Sequence, residues 1–172
     1  MDEFYPEDSD RAFIKVPLDP NQDGCVELKN MLSQIDESMK KQQFRKKIFG
    51  NKLWNSYTYQ PLVRQPFEDE YDSDDEKEQN NKFDNCKIKL DIDFNTKNIM
   101  TSFFIKDTNK KTVKKVNIGK VSDLEEHLTF GSSIRMVVTT DKLWASKGGA
   151  KHYGVTMKVL QMVITPNKQS GS

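Results

Sequence analysis

The residues best suited to chemistry lie in one short segment near the C-terminus, residues 142–154 (KLWASKGGAKHYG). Lysines alternate there with aromatic and imidazole rings, and glycines let the backbone bend. Positive side chains follow phosphates and flat rings stack on bases, so this composition is typical of binding to a single nucleic-acid strand without sequence preference. The predicted contact residues in the segment are Lys142, Trp144, Lys147, Lys151, His152 and Tyr153. The alternative is that Trp144 and Tyr153 plug the end of a barrel and the lysines are only solvated.

A second candidate surface lies upstream, where a predicted strand leads into a lysine-rich turn. Phe103 and Phe104 are adjacent on that strand, so their rings must point to opposite faces. The polar neighbours of Phe104 predict that its ring is the more exposed one. The lysines after it either protect a solvated strand edge or follow phosphates. The predicted contact residues here and in the later strand are Phe104, Lys106, Lys110, Lys111, Lys114, Lys115 and Arg135.

Catalytic and metal-binding patterns are lacking in the sequence. The two histidines, His127 and His152, do not belong to an HExxH pair, and no GxSxG, P-loop or GxGxxG segment occurs. Cys25 and Cys86 do not have zinc-site spacing. We therefore expect no enzymatic activity, no cofactor and no metal.

The charges are distributed unevenly along the chain. Residues 1–83 hold 12 basic and 18 acidic residues, whereas residues 84–172 hold 15 and 8. This asymmetry indicates an acidic linker beside a nucleic-acid-facing domain, or else two solvated surfaces of opposite sign. Two cysteines without a disulfide pattern, short apolar runs and an acidic N-terminus predict an intracellular, reducing location without secretion or membrane insertion.

The domain boundaries follow from composition. In residues 68–78, eight of eleven side chains are acidic, so we predict a disordered linker over residues 66–83. Residues 1–65 form a predicted extension with an amphipathic helix at about 25–41 that docks on the following domain, because a lone helix of that length is marginal in water. Residues 167–172 form a predicted disordered tail.

Residues 84–166 show a pattern of period two that is typical of strands. Ile88, Leu90, Ile92 and Phe94 alternate with polar residues, as a half-buried strand requires. Four more strands and one helix, at about residues 121–129, give the order β-β-β-α-β-β. The predicted fold is therefore mainly β with α, a five-stranded Greek-key barrel of the oligonucleotide-binding (OB) type. Such barrels bind through strands 2–3 and the loops joining strands 1–2 and 4–5.

Several segments together resemble the single-stranded DNA-binding proteins of nucleocytoplasmic large DNA viruses, the group that includes African swine fever virus. The resemblance covers most of the chain, and YQPLVR and KLWASK…YGVTMKVLQ are its most specific parts. The matching segments are Phe13–Asp19, Glu27–Glu37, Lys46–Gly50, Tyr57–Arg64, the acidic linker, Lys87–Ile99, Phe130–Val138 and Lys142–Met162.

The resemblance implies an OB core that binds single-stranded DNA during viral DNA replication, repair or recombination. It also implies work in the infected cell, in a cytoplasmic viral factory or the nucleus, beside other replication proteins. Two alternatives stay open. One is an interaction module that docks replication or virion proteins. The other is binding of single-stranded RNA, since recognition of the 2′-hydroxyl depends on geometry that the sequence does not show.

Overall fold

The computed structural model describes residues 11–66 and 83–167 of the chain. The described residues are mainly β with some helices, and they form an open mixed sheet of seven strands. The prediction of a mainly β fold with helices is confirmed. The strands are β1 Phe13–Pro17, β2 Thr58–Tyr59, β3 Asn85–Leu90, β4 Ser102–Asp107, β5 Thr112–Val116, β6 Ser133–Ala145 and β7 His152–Thr165; the helices are α1 Asp23–Lys40, α2 Gln42–Leu53 and α3 Val121–Glu125.

The chain divides into two compact units, a β unit and an α/β unit. The described residues of the β unit are 11–14, 88–140 and 157–167. Those of the α/β unit are 15–66, 83–87 and 141–156. The predicted linker over 66–83 lies outside the described residues except at its ends, as does the predicted tail except for Asn167.

The β unit is built on the second half of β7. Strands β4 and β5 form an antiparallel pair with Phe104 opposite Lys115. Strand β7 runs parallel to β4, with Phe103 beside Met162, and parallel to the end of β3, with Lys89 beside Lys158. The core follows the apolar alternation of these strands and contains the fully buried side chains of Phe103, Ile88, Val159, Met162 and Ile164.

The five-stranded OB barrel is not confirmed. The predicted Greek-key barrel is antiparallel, but here β7 lies between β3 and β4 and runs parallel to both. Strand β3 ends at Leu90, so Phe94 is not an inward strand residue and is instead 84 % exposed. The predicted helix over 121–129 is present as the shorter α3, which buries Val121 and Leu124.

The α/β unit is held together by a buried carboxylate on α1. Asp36 is 5 % exposed and accepts hydrogen bonds from the Tyr59 hydroxyl at 2.7 Å and from the amides of Leu62 and Val63 at 2.8 and 3.1 Å. Pro61 interrupts the segment and has no amide hydrogen to donate. Asp36 therefore fastens residues 59–63 to the helix predicted at 25–41, which the structure confirms as α1.

Helix α2 changes direction at one glycine. Gly50 has φ of +76° and interrupts the helical geometry. A residue with a side chain is strained in that region, and glycine is not. The turn brings Trp54–Ser56, a short 3-10 helix, back to α2, where the Arg45 guanidinium donates a hydrogen bond to Trp54 O at 3.0 Å.

Candidate nucleic-acid interface

The predicted binding segment lies at the turn of a hairpin between β6 and β7 in the α/β unit. Ser146 closes the turn: its amide donates to His152 O at 2.8 Å and its hydroxyl to Ala150 O at 2.8 Å. The His152 amide in turn donates to the Ser146 hydroxyl at 2.8 Å. Every residue from 147 to 151 is exposed. The turn therefore presents Lys147 and Lys151 to solvent on a hydrogen-bonded frame, as phosphate contacts require.

Trp144 lies against the backbone of β7. A Cβ atom built on Gly154 would meet the indole atoms Cζ2, Cε2 and Nε1 at 2.9–3.0 Å. The ring can take this position only because residue 154 has no side chain. The side chain is nevertheless 36 % exposed, so it is not a fully buried plug. This placement is compatible with stacking against a base.

Tyr153 cannot be the stacking ring that the sequence predicts, because its side chain is fully buried. Its hydroxyl donates to Met39 O at 2.7 Å, and its ring meets Phe49 edge-on with the centroids 5.1 Å apart. Burial raises the pKa of the phenol, and the guanidinium of Arg45 acts in the opposite direction. On β7, residues 152 and 153 must point to opposite faces. Tyr153 takes the inward one and joins the end of α1 to α2.

His152 is half-buried and hydrogen-bonded to Gln60. The Gln60 amide nitrogen lies 2.8 Å from His152 Nδ1. An amide nitrogen donates and does not accept, so Gln60 is the donor of this hydrogen bond. Both side chains line an open groove of about 940 Å³. Its other lining residues include Trp144, Ser146, Lys40, Arg64, Glu37 and Asp84.

The structure adds a cationic aromatic cluster that the sequence analysis missed. The amine of Lys151 lies 5.7 Å from the centre of the Tyr57 ring, and Tyr57 stacks on Phe49 with 4.1 Å between centroids and 4° between planes. The Lys46 amine and the Arg45 guanidinium lie 5.5 and 5.3 Å from the Trp54 ring. Lys151 thus connects the hairpin turn to the basic surface of α2, which is formed by Arg45, Lys46, Lys47 and Lys52.

A charge pattern could have revealed this cluster. Residues 38–66 contain no acidic side chain and seven basic ones. They are Lys40, Lys41, Arg45, Lys46, Lys47, Lys52 and Arg64. The net charge of residues 1–83 hides this pattern, because that sum includes the acidic segments at 1–10 and 67–82. The described residues of the α/β unit carry 13 basic and 7 acidic side chains.

The other predicted contact residues fall in the β unit. Phe103 is 1 % exposed and Phe104 is half-buried, so the predicted difference between the two rings is confirmed. Directly opposed residues of an antiparallel pair share a face, which places Phe104 with Lys115, and Ile105 with Lys114 on the other face. The lysines of the hairpin are therefore divided between its two faces. Lys106, Lys110, Lys111, Lys114, Lys115 and Arg135 are all exposed.

Across residues 11–66 and 83–167, no group of three or more histidine, cysteine, aspartate or glutamate side chains is placed to hold a metal ion. No helix in that part of the chain is both long and apolar enough to cross a membrane.

Comparison with known proteins shows a similarity that covers nearly the whole chain. An uncharacterized protein of Acanthamoeba polyphaga mimivirus is 31 % identical over 192 aligned positions, which cover 99 % of this chain and 47 % of the relative. The chain therefore spans about half the length of that protein. No protein-family model matches the chain, and no solved structure matches it.

Proposed function

We propose that this chain binds single-stranded DNA without sequence preference, chiefly through the α/β unit. The observation that carries the proposal is the contact of the Lys151 amine with the Tyr57 ring, 5.7 Å from its centre. It joins the exposed lysines of the β6–β7 turn to a stretch, residues 38–66, that has seven basic and no acidic side chains. Cationic side chains with aromatic rings among them are what a sequence-tolerant site for single strands needs.

In this proposal the aromatic rings stack on bases and the lysine amines contact phosphates. Trp144 stacks on an unpaired base, because 36 % of its surface is exposed. Lys142, Lys147 and Lys151 are exposed and supply phosphate contacts. Trp54 and Tyr57 are partly exposed, and each already has a cation near its ring. A phosphate that draws the cation away frees the ring for a base.

The closed OB barrel is not required for this function. Stacking and phosphate contacts need exposed rings and amines, not one strand order. The β6–β7 loop can bind a strand by OB-type contacts whether or not the barrel is closed, and barrel closure stays a separate prediction. The resemblance to DNA-binding proteins of large DNA viruses supports DNA as the ligand, in replication, repair or recombination in an infected cell. The mimivirus relative supports the viral setting.

The test is a fluorescence-anisotropy titration with three labelled ligands: a poly-dT oligomer, a DNA duplex of the same length and a poly-rU oligomer. Each titration is run at two salt concentrations. We expect poly-dT to bind more tightly than duplex, with affinity that falls as salt rises, because released counterions drive phosphate binding. Equal affinity for duplex, or no binding at low salt, would contradict the proposal. Tighter binding of poly-rU would make RNA the ligand.

A further inference from the structure

The most exposed large apolar side chain among the described residues is Phe94, with 84 % of its surface accessible. It belongs to the β unit and lies between β3 and β4. Exposing a phenylalanine ring to water is unfavourable, and single exposed apolar residues are nonetheless ordinary. The exposure by itself therefore does not indicate a site.

The backbone on either side of Phe94 is held in a defined turn. The carboxylate of Asp93 accepts hydrogen bonds from the amide of Asn95 at 2.9 Å, from the amide of Thr96 at 2.7 Å and from the Thr96 hydroxyl at 3.0 Å. The Asp93 amide donates to Asn98 O at 2.9 Å, and the Lys97 amide to Asp93 O at 2.9 Å. These bonds fix residues 93–98, so binding through Phe94 does not have to order a loose loop.

The same turn sets a cation beside the ring. The Lys97 amine lies 5.0 Å from the centre of Phe94, and Lys97 has φ of +60°. A lysine rarely adopts this conformation. An exposed cation–π contact is weak, so an incoming base can displace the amine, which then remains within reach of the adjoining phosphate.

The charge of the β unit favours a polyanion. Its described residues carry 11 basic and 6 acidic side chains. A protein partner with an apolar pocket would accept the ring without using the cation. The pairing of ring and amine matches the two parts of a nucleotide instead.

We propose that the Phe94–Lys97 turn is a second stacking site, which takes one unpaired base of a single strand on Phe94 and its phosphate on Lys97. This inference rests on the proposed function, because the ligand belongs to the same class. It adds that the β unit holds its own position on the strand. Two linked sites raise the affinity for ligands long enough to reach both. The contribution of Phe94 should therefore appear only with longer oligomers.

The experiment is a length series of labelled poly-dT oligomers, from about 6 to about 40 nucleotides, titrated against the whole chain. Phe94→Leu keeps an apolar side chain and removes the ring, whereas Phe94→Tyr keeps an aromatic ring. Phe130→Leu is the matched control, since Phe130 is an exposed phenylalanine of the same unit, with 65 % of its surface accessible. We expect Phe94→Leu to weaken binding of long oligomers at least about fivefold, the lower limit for one base stack. Phe94→Tyr and Phe130→Leu should stay within about twofold of wild type.

Two further readouts separate this site from the one in the α/β unit. Oligomers carrying 5-iododeoxyuridine should crosslink under ultraviolet light to the peptide that contains Phe94, as well as to the one that contains Trp144. Lys97→Gln should lower the log–log salt slope by about 0.7, the value for one phosphate on a single strand. If long oligomers bind Phe94→Leu as tightly as wild type and crosslink only at the Trp144 peptide, the second site is refuted and the proposed function stands. If no oligomer binds the wild-type chain, both are refuted.

Discussion

The phenol hydroxyl of Tyr59 donates a 2.7 Å hydrogen bond to Oδ1 of Asp36, and both side chains are buried. Burial raises the pKa of Tyr59, and the hydrogen bond to the Asp36 carboxylate raises it further. The amides of Leu62 and Val63 complete the set of donors to that carboxylate. A buried charge is tolerated where hydrogen bonds compensate for lost water, so Asp36 should be critical to the stability of the α/β unit.

Replacing Asp36 by alanine should destabilise the protein strongly. The change leaves two backbone amides and one hydroxyl without their acceptor. Each buried donor without a partner costs about 1–3 kcal/mol, so the free energy of unfolding should fall by about 3 kcal/mol or more. Asp36→Asn keeps one acceptor oxygen and should cost less. Urea unfolding followed by circular dichroism measures both.

Glu37→Ala is the matched control for this change. Glu37 is the next residue of α1 and is exposed, so its removal should alter stability by less than about 0.5 kcal/mol. An Asp36→Ala protein as stable as Glu37→Ala would show that water takes over the three donors, and the proposed fastening of residues 59–63 would be wrong.

Adding one methyl group at Gly154 should move Trp144. The new Cβ would lie 2.9–3.0 Å from the indole ring, which is closer than van der Waals contact allows, so the ring must shift. Gly148→Ala is the control in the same hairpin, because a Cβ there meets no atom within 4 Å. In a Trp54→Phe background, the emission of Trp144 should change in Gly154→Ala and not in Gly148→Ala. Identical spectra would mean that the ring does not lie on Gly154.

Much of the secondary structure was predictable from the sequence, but the strand pairing was not. Alternation with period two located the strands between residues 84 and 166, most clearly β3, where Ile88 and Leu90 are buried and Lys89 between them is exposed. It also ranked Phe103 as more buried than Phe104, from the polar neighbours of the latter. Periodicity does not show which strand lies beside which. Strand β7 runs parallel to β3 and β4, whereas the predicted Greek-key barrel is antiparallel. Phe94 fitted the alternation but lies beyond the end of its strand, where the Asp93 turn decides its exposure.

The candidate site was predictable only in part. The lysines of the 142–154 segment were found because lysines on a turn are solvated wherever the turn lies. Tyr153 was misplaced because its face of β7 depends on α1 and α2, which are far away in sequence. Trp54 and Tyr57 were missed because charge was summed over halves of the chain and not along the acid-free residues 38–66.

The two cysteines should differ widely in reactivity. Cys86 is 2 % exposed, and burial raises the pKa of its thiol to about 12, with the nearby Cys25 adding to the shift. Cys25 is half-buried. Because the thiolate is the reacting species, Cys86 should react with Ellman's reagent more than about tenfold more slowly than Cys25 at pH 8. In Cys25→Ser the fast phase should vanish, and a fast phase that persists would contradict the burial of Cys86.

The raised pKa of Cys86 also fixes the sign of a pH effect on stability. The folded state disfavours the thiolate, so the contribution of Cys86 is fully present below the unfolded-state pKa of about 8.5. It is lost as the pH rises towards about 12. Urea unfolding between pH 8 and 10.5 should show the decline, and Cys86→Ala should show a smaller one. An equal decline in both proteins would assign the effect to other groups.

Trp144→Ala and Lys147→Ala should weaken single-strand binding in two distinguishable ways. Loss of a stacking ring costs roughly 1–3 kcal/mol per base, so Trp144→Ala should lower affinity by about one to two decades with little change in the salt slope. Loss of a phosphate contact lowers affinity and also reduces the log–log slope by about 0.7. Anisotropy titrations of a poly-dT oligomer at several salt concentrations separate the two effects.

Folding has to be measured beside binding for these variants, because the rival interpretation makes Trp144 a barrel plug. Truncating a buried tryptophan costs about 3–5 kcal/mol, but Trp144 is 36 % exposed, so its removal should cost less than that. Leu143→Ala is the control on the same strand: Leu143 is 46 % exposed and offers no ring, so it should bind DNA like wild type. If Trp144→Ala is folded and binds with wild-type affinity, the tryptophan does not belong to the site. The proposed function would then depend on the lysines of the β6–β7 turn and the basic surface of α2, whose loss would still reduce the salt slope.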